Sequence, residues 1–238
     1  MDEPPVRCFI APTGEWKSLD DWPPPEARWT TFYLHKDGLL SEHELWPDEG
    51  ADSFDESNSE HGSMTYATPP LVENTEVLGP SVLTLYFSTT DTEALLFVTL
   101  LAVDRDGKEH ELTRGWLRAS QRRLREDSEP WEPVLAHEKR QPLEPGKIYE
   151  LRIPIVPTGR LFQAGERIAI RIKGADDEPP VNSLEALARN HLRRPRPARI
   201  TIHHDESHPS RVDLPITRGN LIGTFFSGGD VSSFGLSR

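Results

Sequence analysis

The sequence predicts an all-β fold, an antiparallel sandwich or jelly roll, on three observations. Apolar and polar residues alternate with a period of two through several short runs, which puts one set of side chains on each face of a strand. Turn formers separate those runs, with 16 glycines and 22 prolines among 238 residues. Long helical segments of the kind that parallel strands need as crossovers do not intervene.

The first strand candidates along the chain are residues 6–11 and 28–34. Residues 82–88 and 95–103 are apolar on both faces and rich in β-branched and aromatic side chains, which suits central strands covered on both sides. In 148–155, Tyr149, Leu151, Ile153 and Ile155 share one face while Glu150 and Arg152 take the other. Ile168, Ile170 and Ile172 alternate with Arg167, Ala169, Arg171 and Lys173. Ile200 and Ile202 alternate with Arg199, Thr201 and His203, and Val212, Leu214 and Ile216 with Arg211 and Asp213. Turns are expected at Asp37-Gly38, Gly79-Pro80, Asp106-Gly107, Pro145-Gly146, Thr158-Gly159 and Ala164-Gly165.

One short helical insertion is expected at 184–193, capped by Asn182 or Ser183 and stopped by Pro195. The stretch 48–61 carries six carboxylates among Ser, Gly and Asn, too little apolar surface to pack, and is expected to be a flexible acidic loop. A Gly/Ser-rich tail, 227–238, is expected to fray. The whole, 1–238, is expected to be a single β-sandwich domain, long enough to bury a core without staples.

Charge narrows the function classes. The net charge is −12, and between Asp37 and Asp104 there are 14 acidic residues and no Lys or Arg. Neutralising phosphate needs a clustered basic surface, so no nucleic-acid partner and no membrane partner is expected. No window approaches the ~18 apolar residues of a membrane span, and the opening Met1-Asp2-Glu3-Pro4-Pro5 lacks the basic and apolar run of a secretory leader. The single cysteine, Cys8, needs no oxidising compartment, and a cytoplasmic address is expected.

Candidate chemistry is sparse. In His203-His204-Asp205-Glu206-Ser207-His208 the two adjacent histidines of a strand point to opposite faces, so no metal site is expected; Asp205 is read as bonding the backbone of a strand-end turn. No Gly-x-Ser-x-Gly elbow exists; Ser227 reads as a tail serine and Cys8 as a core or edge residue, so no catalytic residue is expected. Asp104 and Asp106 before Gly107 read as a hairpin turn rather than a calcium loop. Arg114, Arg118, Arg122, Arg123 and Arg125 read as a solvated face or as partners for the acidic stretch. With no Gly-rich phosphate loop and no CxxC, no cofactor is expected. Four of the six tryptophans precede Pro47, and Trp16, Trp22 and Trp46 are candidates for domain docking or ligand contact beside the plainer reading of core and rim packing.

An ordered series of segments resembles the C-terminal β domain of the X-prolyl dipeptidyl-peptidase and cocaine-esterase (CocE/NonD) type of serine hydrolases. It begins with Val6-Arg7-Cys8-Phe9-Ile10, Gly14-Glu15-Trp16, Trp22-Pro23-Pro24 and Phe32-Tyr33-Leu34, and continues through Tyr66-Ala67-Thr68-Pro69-Pro70-Leu71 and Thr75-Glu76-Val77-Leu78-Gly79-Pro80. Then come Val103-Asp104-Arg105-Asp106-Gly107, Leu112-Thr113-Arg114-Gly115-Trp116, Leu143-Glu144-Pro145-Gly146, Phe162-Gln163-Ala164-Gly165-Glu166-Arg167 and His208-Pro209-Ser210. The resemblance implies a jelly roll similar to galactose-binding domains, packed against an α/β-hydrolase domain, in cis or in trans, that owns the Ser, Asp and His triad. It implies a hydrolase family with dipeptidyl-peptidase activity and a chain without catalysis of its own. Two departures stand out: Ser88-Thr89-Thr90-Asp91-Thr92-Glu93 is less acidic than the family's run of aspartates, and the 184–193 insertion looks extra. Two function classes follow, an accessory domain of a serine hydrolase and a free-standing carbohydrate- or ligand-binding module. Strand edges and tryptophan-bearing loops add a homo-oligomer to the expectations.

Overall fold

A computed structural model describes residues 3–47, 49–56, 62–175 and 198–219. Its strands are β1 (Val6–Ile10), β2 (Glu15–Leu19), β3 (Arg28–His35), β4 (Leu39–Ser41), β5 (Ala51–Asp55), β6 (Ser63–Ala67), β7 (Thr75–Thr89), β8 (Leu95–Val103), β9 (Glu109–Arg118), β10 (Tyr149–Phe162), β11 (Arg167–Lys173), β12 (Arg199–Asp205), β13 (His208–Pro209) and β14 (Arg211–Arg218). Apart from two single 3-10 turns the described residues carry no helix, so the all-β expectation stands.

Nine strands close on themselves in the order β10-β9-β8-β11-β6-β4-β3-β14-β7, with β7 returning to β10. The closure is uneven. Ring neighbours such as β8 and β11 pair over seven registers, from Arg167↔Val103 to Lys173↔Phe97, whereas β9 meets β10 at Ile155↔Gly115 alone and β4 meets β6 at a parallel Leu39↔Ala67 pair alone. The ring is therefore two antiparallel sheets joined along two thin seams. Gly115 permits one of them: a Cβ there would lie 2.4 Å from the Pro154 carbonyl oxygen.

The core lies between the sheets, where the period-two faces meet. Leu83, Leu85 and Phe87 of β7, Leu96, Val98 and Leu100 of β8, Leu151, Ile153 and Ile155 of β10, and Ile168, Ile170 and Ile172 of β11 are all buried in it. Each such side chain contributes roughly 1.5–3 kcal/mol of transfer free energy. The two-stranded β1–β2 hairpin stands outside the ring and packs Ile10 and Leu19 on Leu78, with Trp22 and Cys8 partly buried beside them. Glu76, 2% exposed, is satisfied there by Lys17 Nζ at 2.6 Å and Thr217 Oγ1 at 2.5 Å.

Several expectations need correction or placing. Gly79-Pro80 and Thr158-Gly159 are not turns: they sit opposite each other inside β7 and β10, where the register shifts between Ile155 and Thr158. Glycine and proline here mark a bulge that bends two long strands. Part of the expected acidic loop is strand β5, because Phe54 is buried at 4% exposure and five residues pair with β12, Arg199 reaching Asp55 at 3.0 Å. One buried apolar anchor and a five-residue ladder to β12 outweigh the low hydrophobic content. The 184–193 helix and the 227–238 tail lie outside the described residues.

Candidate functional site

The chemistry-bearing side chains gather in two places, a buried polar wedge beneath residues 42–50 and a set of exposed aromatics. In the wedge, the β3 end supplies His35, the β4 end Ser41, the following strap Glu49, and β5, β6 and β12 supply Asp52, Tyr66 and His204. His35 Nδ1 lies 2.7 Å from Glu49 Oε1, and Ser41 Oγ lies 3.3 Å from His35 Nε2. This is a hydroxyl–imidazole–carboxylate chain, which sequence reasoning missed because its members sit on three separate segments.

Its hydrogen bonding does not suit catalysis. His35 Nε2 is also 3.0 Å from the His43 carbonyl oxygen, and a carbonyl only accepts, so that nitrogen carries a proton. A nitrogen that is already a donor cannot take the serine proton, as nucleophile activation requires. Ser41 is 2% exposed, and its Oγ accepts the His43 N–H at 3.1 Å. The triad-like chain fastens a loop.

The tandem histidines divide as the strand period predicts. His204 is fully buried, with Nε2 3.1 Å from Asp52 Oδ2 and Nδ1 4.0 Å from Glu49 Oε2. Neither ring nitrogen has an aligned hydrogen-bond acceptor, so these are contacts of proximity to the two carboxylates. Burial pushes the Asp52 carboxyl up, but the neighbouring His204 ring, with Tyr66 Oη donating at 3.1 Å, holds it below the usual carboxylate range. Burial, then the Asp52 charge, drives the Tyr66 phenol far upward.

On the opposite face His203 Nε2 lies 3.0 Å from Ser88 Oγ. Burial and then His208 lower the His203 pKa, so its ring is the more readily neutral. The carboxylate that could orient it, Asp205, is engaged by His208 Nδ1 at 3.0 Å and by the Ser207 and His208 backbone N–H groups at 2.8 and 2.9 Å. Ser88 lies within a paired strand, opposite Thr201, away from any turn that could aim backbone donors at an oxyanion. Asp205 is the turn residue that the sequence suggested.

Asp104 likewise serves a turn: its Oδ1 accepts from Asp106 N at 3.0 Å and Lys108 N at 2.8 Å, and Gly107 N donates to its carbonyl. The Lys108 bond leads in lowering its pKa. Among the described residues no group of three His, Cys, Asp or Glu is placed to hold a metal ion, and no helix is long and apolar enough to cross a membrane. The arginine row is paired off, Arg118 with Glu93 at 3.5 Å, Arg123 with Glu138 at 3.1 Å, Arg125 with Asp127 at 2.5 Å, and Arg122 over the Tyr149 ring.

The three singled-out tryptophans fall in different settings. Trp16 on β2 is 59% exposed, edge-on to the exposed Phe9 at 5.5 Å and under the Arg7 guanidinium at 5.4 Å. Trp22 is partly buried against the hairpin's small core. Trp46, 74% exposed, lines an open cleft of about 970 Å³ with Leu39, Glu42, His43 and Glu44. Sequence reasoning passed over a second cleft, about 530 Å³, where Trp116 and Trp131 face Pro154 and Val156 along the β9–β10 seam.

Fold and site together define a β domain in which the clustered Ser41, His35 and Glu49 fasten a loop and Asp104 and Asp205 serve turns. Comparison with known proteins agrees. Residues 1–213 match the family described as the X-Pro dipeptidyl-peptidase C-terminal non-catalytic domain, and the chain belongs to that family. It is 32% identical over 246 residues to a protein provisionally named a serine esterase in Mycobacterium bovis, covering 90% of this chain and 37% of that one. It is 25% identical over 253 residues to the cocaine esterase of a Rhodococcus species, covering 90% and 42%. A CocE/NonD family hydrolase from Staphylococcus aureus superposes with a TM-score of 0.78 at 25% identity, over 89% of this chain and 40% of that one. The chain thus spans about two fifths of the length of these relatives.

Proposed function

We propose that this chain acts as the accessory β domain of a serine hydrolase, of the dipeptidyl-peptidase or ester and amide hydrolase kind, and that it braces the active site of an α/β-hydrolase domain, in cis or in trans. The observation that carries the reading is the Phe9–Trp16 pair under Arg7, an exposed aromatic and arginine patch on a hairpin pinned to the ring. Aromatic and Arg side chains are the ones that anchor protein interfaces. Close contact fixes that patch in place: a Cβ on Gly159 would lie 2.6 Å from the Phe9 carbonyl oxygen. Trp22 backs the hairpin, and Trp46 offers a second contact. The reading includes a jelly roll akin to galactose-binding domains, supported by the two antiparallel sheets, and a cytoplasmic address, supported by the lone thiol of Cys8. It also includes self-association along the outer edge of β5.

The test mixes the purified chain with the remaining part of the mycobacterial relative, expressed without its matching segment, and follows hydrolysis of p-nitrophenyl and aminoacyl esters. The chain alone should be inert and the mixture active, with Trp16→Ala weakening the rescue about tenfold or more, the loss of one interface anchor. Turnover by the chain alone that a serine-directed inhibitor abolishes would overturn the reading. The alternative, a carbohydrate-binding module, would use Trp46 beside its cleft; calorimetry against a sugar panel with Trp46→Ala tests it.

A further inference from the structure

The thin seam between β9 and β10 opens into a cleft because of one residue. Pro154 adjoins the Ile155↔Gly115 pair, the register at which the two strands meet. A proline has no N–H to give to a ladder, so pairing stops there and the strands part. The cleft of about 530 Å³ lies along that gap. Its lining comes from both faces of the wall. Trp116, Pro154 and Val156 belong to the outer face, while Leu117 and Ile155, one step along the same strands, are buried in the core. Leu135, from the segment between β9 and β10, lines the cleft and packs on the core as well. The cleft therefore leads from the surface toward the interior of the ring.

Among these apolar walls stands one polar group with nothing to bond. Ser81 lines the cleft, is 2% exposed, and its hydroxyl meets no hydrogen-bond partner among the described residues. A buried hydroxyl left in that state is costly, and such groups in folded proteins are normally satisfied. The outer wall is formed in advance. Arg152 Nη2 donates to the Pro130 carbonyl oxygen beside Trp131. Ser128 Oγ donates to the Val134 carbonyl at 3.2 Å and accepts from Val134 N at 3.1 Å. The charges along the rim favour neither sign: Arg118 is offset by Glu93 at 3.5 Å, and the exposed Glu132 is accompanied by His137.

We propose that the seam cleft is a binding site for a neutral aromatic molecule of one or two rings bearing a single hydroxyl, the ring against Trp116 and Trp131 and the hydroxyl bonded to Ser81 Oγ. Small-molecule sites have volumes of this order, apolar and aromatic walls, and few polar groups to fix orientation. Indole faces suit an aromatic guest, and a serine hydroxyl can donate to or accept from the guest's hydroxyl. The site is separate from the Phe9–Trp16 patch and does not depend on the accessory role.

The test is proton–nitrogen NMR of the full chain titrated with phenol, and with toluene as the probe of like shape that lacks a hydroxyl. Phenol should shift the Trp116 and Trp131 indole N–H signals and the Ser81 amide together and to saturation. Ser81→Ala should weaken phenol about fivefold, the loss of one hydrogen bond, and leave toluene unchanged or tighter. Trp116→Ala should weaken both probes about fivefold or more. Ser81→Ala acting on both probes alike, or on neither, would overturn the site. Should that variant fail to fold, intermolecular NOEs decide the matter on the wild-type chain. Contacts from phenol to the Leu117 and Ile155 methyl groups support the site. Contacts confined to Trp16 or Trp46, or no saturable shift at millimolar phenol, overturn it.

Discussion

The two ends of the molecule are stabilised by different physics. Between the sheets, Phe87, Leu85, Leu100 and Ile170 pack with no exposure and no polar atom to satisfy. Beneath the strap, at the same depth, sit His35, Tyr66 and His204, whose burial is tolerable only while Glu49 and Asp52 face them. Volume change disturbs the first at any pH, whereas the second also depends on the ionisation of Asp52. One ring of strands can thus hold both kinds of region, because dispersion cares about shape, while the energy of a buried carboxylate depends on its protonation.

Substitutions can separate the two. Phe87→Ala should produce the largest effect, a loss of about 3–5 kcal/mol from cavity and transfer terms together, seen as a lower denaturant midpoint at every pH. Asp52→Asn comes next. Asp52 is held below the ordinary carboxylate range in the folded chain, so its contribution is present above the unfolded value near ~3.9 and disappears as pH falls through the folded one. The variant should be less stable at neutral pH and show a flatter acid limb in urea titrations from pH 7 to 2. A parallel acid limb in both chains would show that Asp52 does not contribute. The smallest effect belongs to Arg199→Ala, which breaks a solvent-exposed pair with Asp55; surface pairs are screened and entropically costly. The melting curve should superimpose on that of the wild type.

How far the sequence foretold this depends on the range of the interaction. The strand faces of β10, β11, β12 and β14 were legible, because period two is a local property and the core obeyed it. The split of His203 and His204 to opposite faces was legible for the same reason. The role of Gly79-Pro80 was not, since glycine and proline mark turns and bulges alike and only the partner strand decides between them. β9 escaped notice because its arginines read as surface, whereas Arg114 and Arg118 are paired with Glu111 and Glu93. The polar wedge was illegible in principle: Glu49 reaches His204 only after β5 has paired with β12, and no spacing in the chain announces that meeting. Trp22 was singled out by type, yet its setting beside Ile10 and Leu78 followed from the docking of the hairpin.

Strand β7 has neighbours drawn from the far end of the chain; Tyr86 N, for instance, donates to the hydroxyl of Ser210, 124 residues later. A growing polypeptide therefore presents this largely buried strand long before the residues that will cover it have been made. Domains built this way close late and slowly, and in a crowded cell their nascent form would depend on chaperones to hold β7 and β8 apart from other chains until synthesis reaches β14.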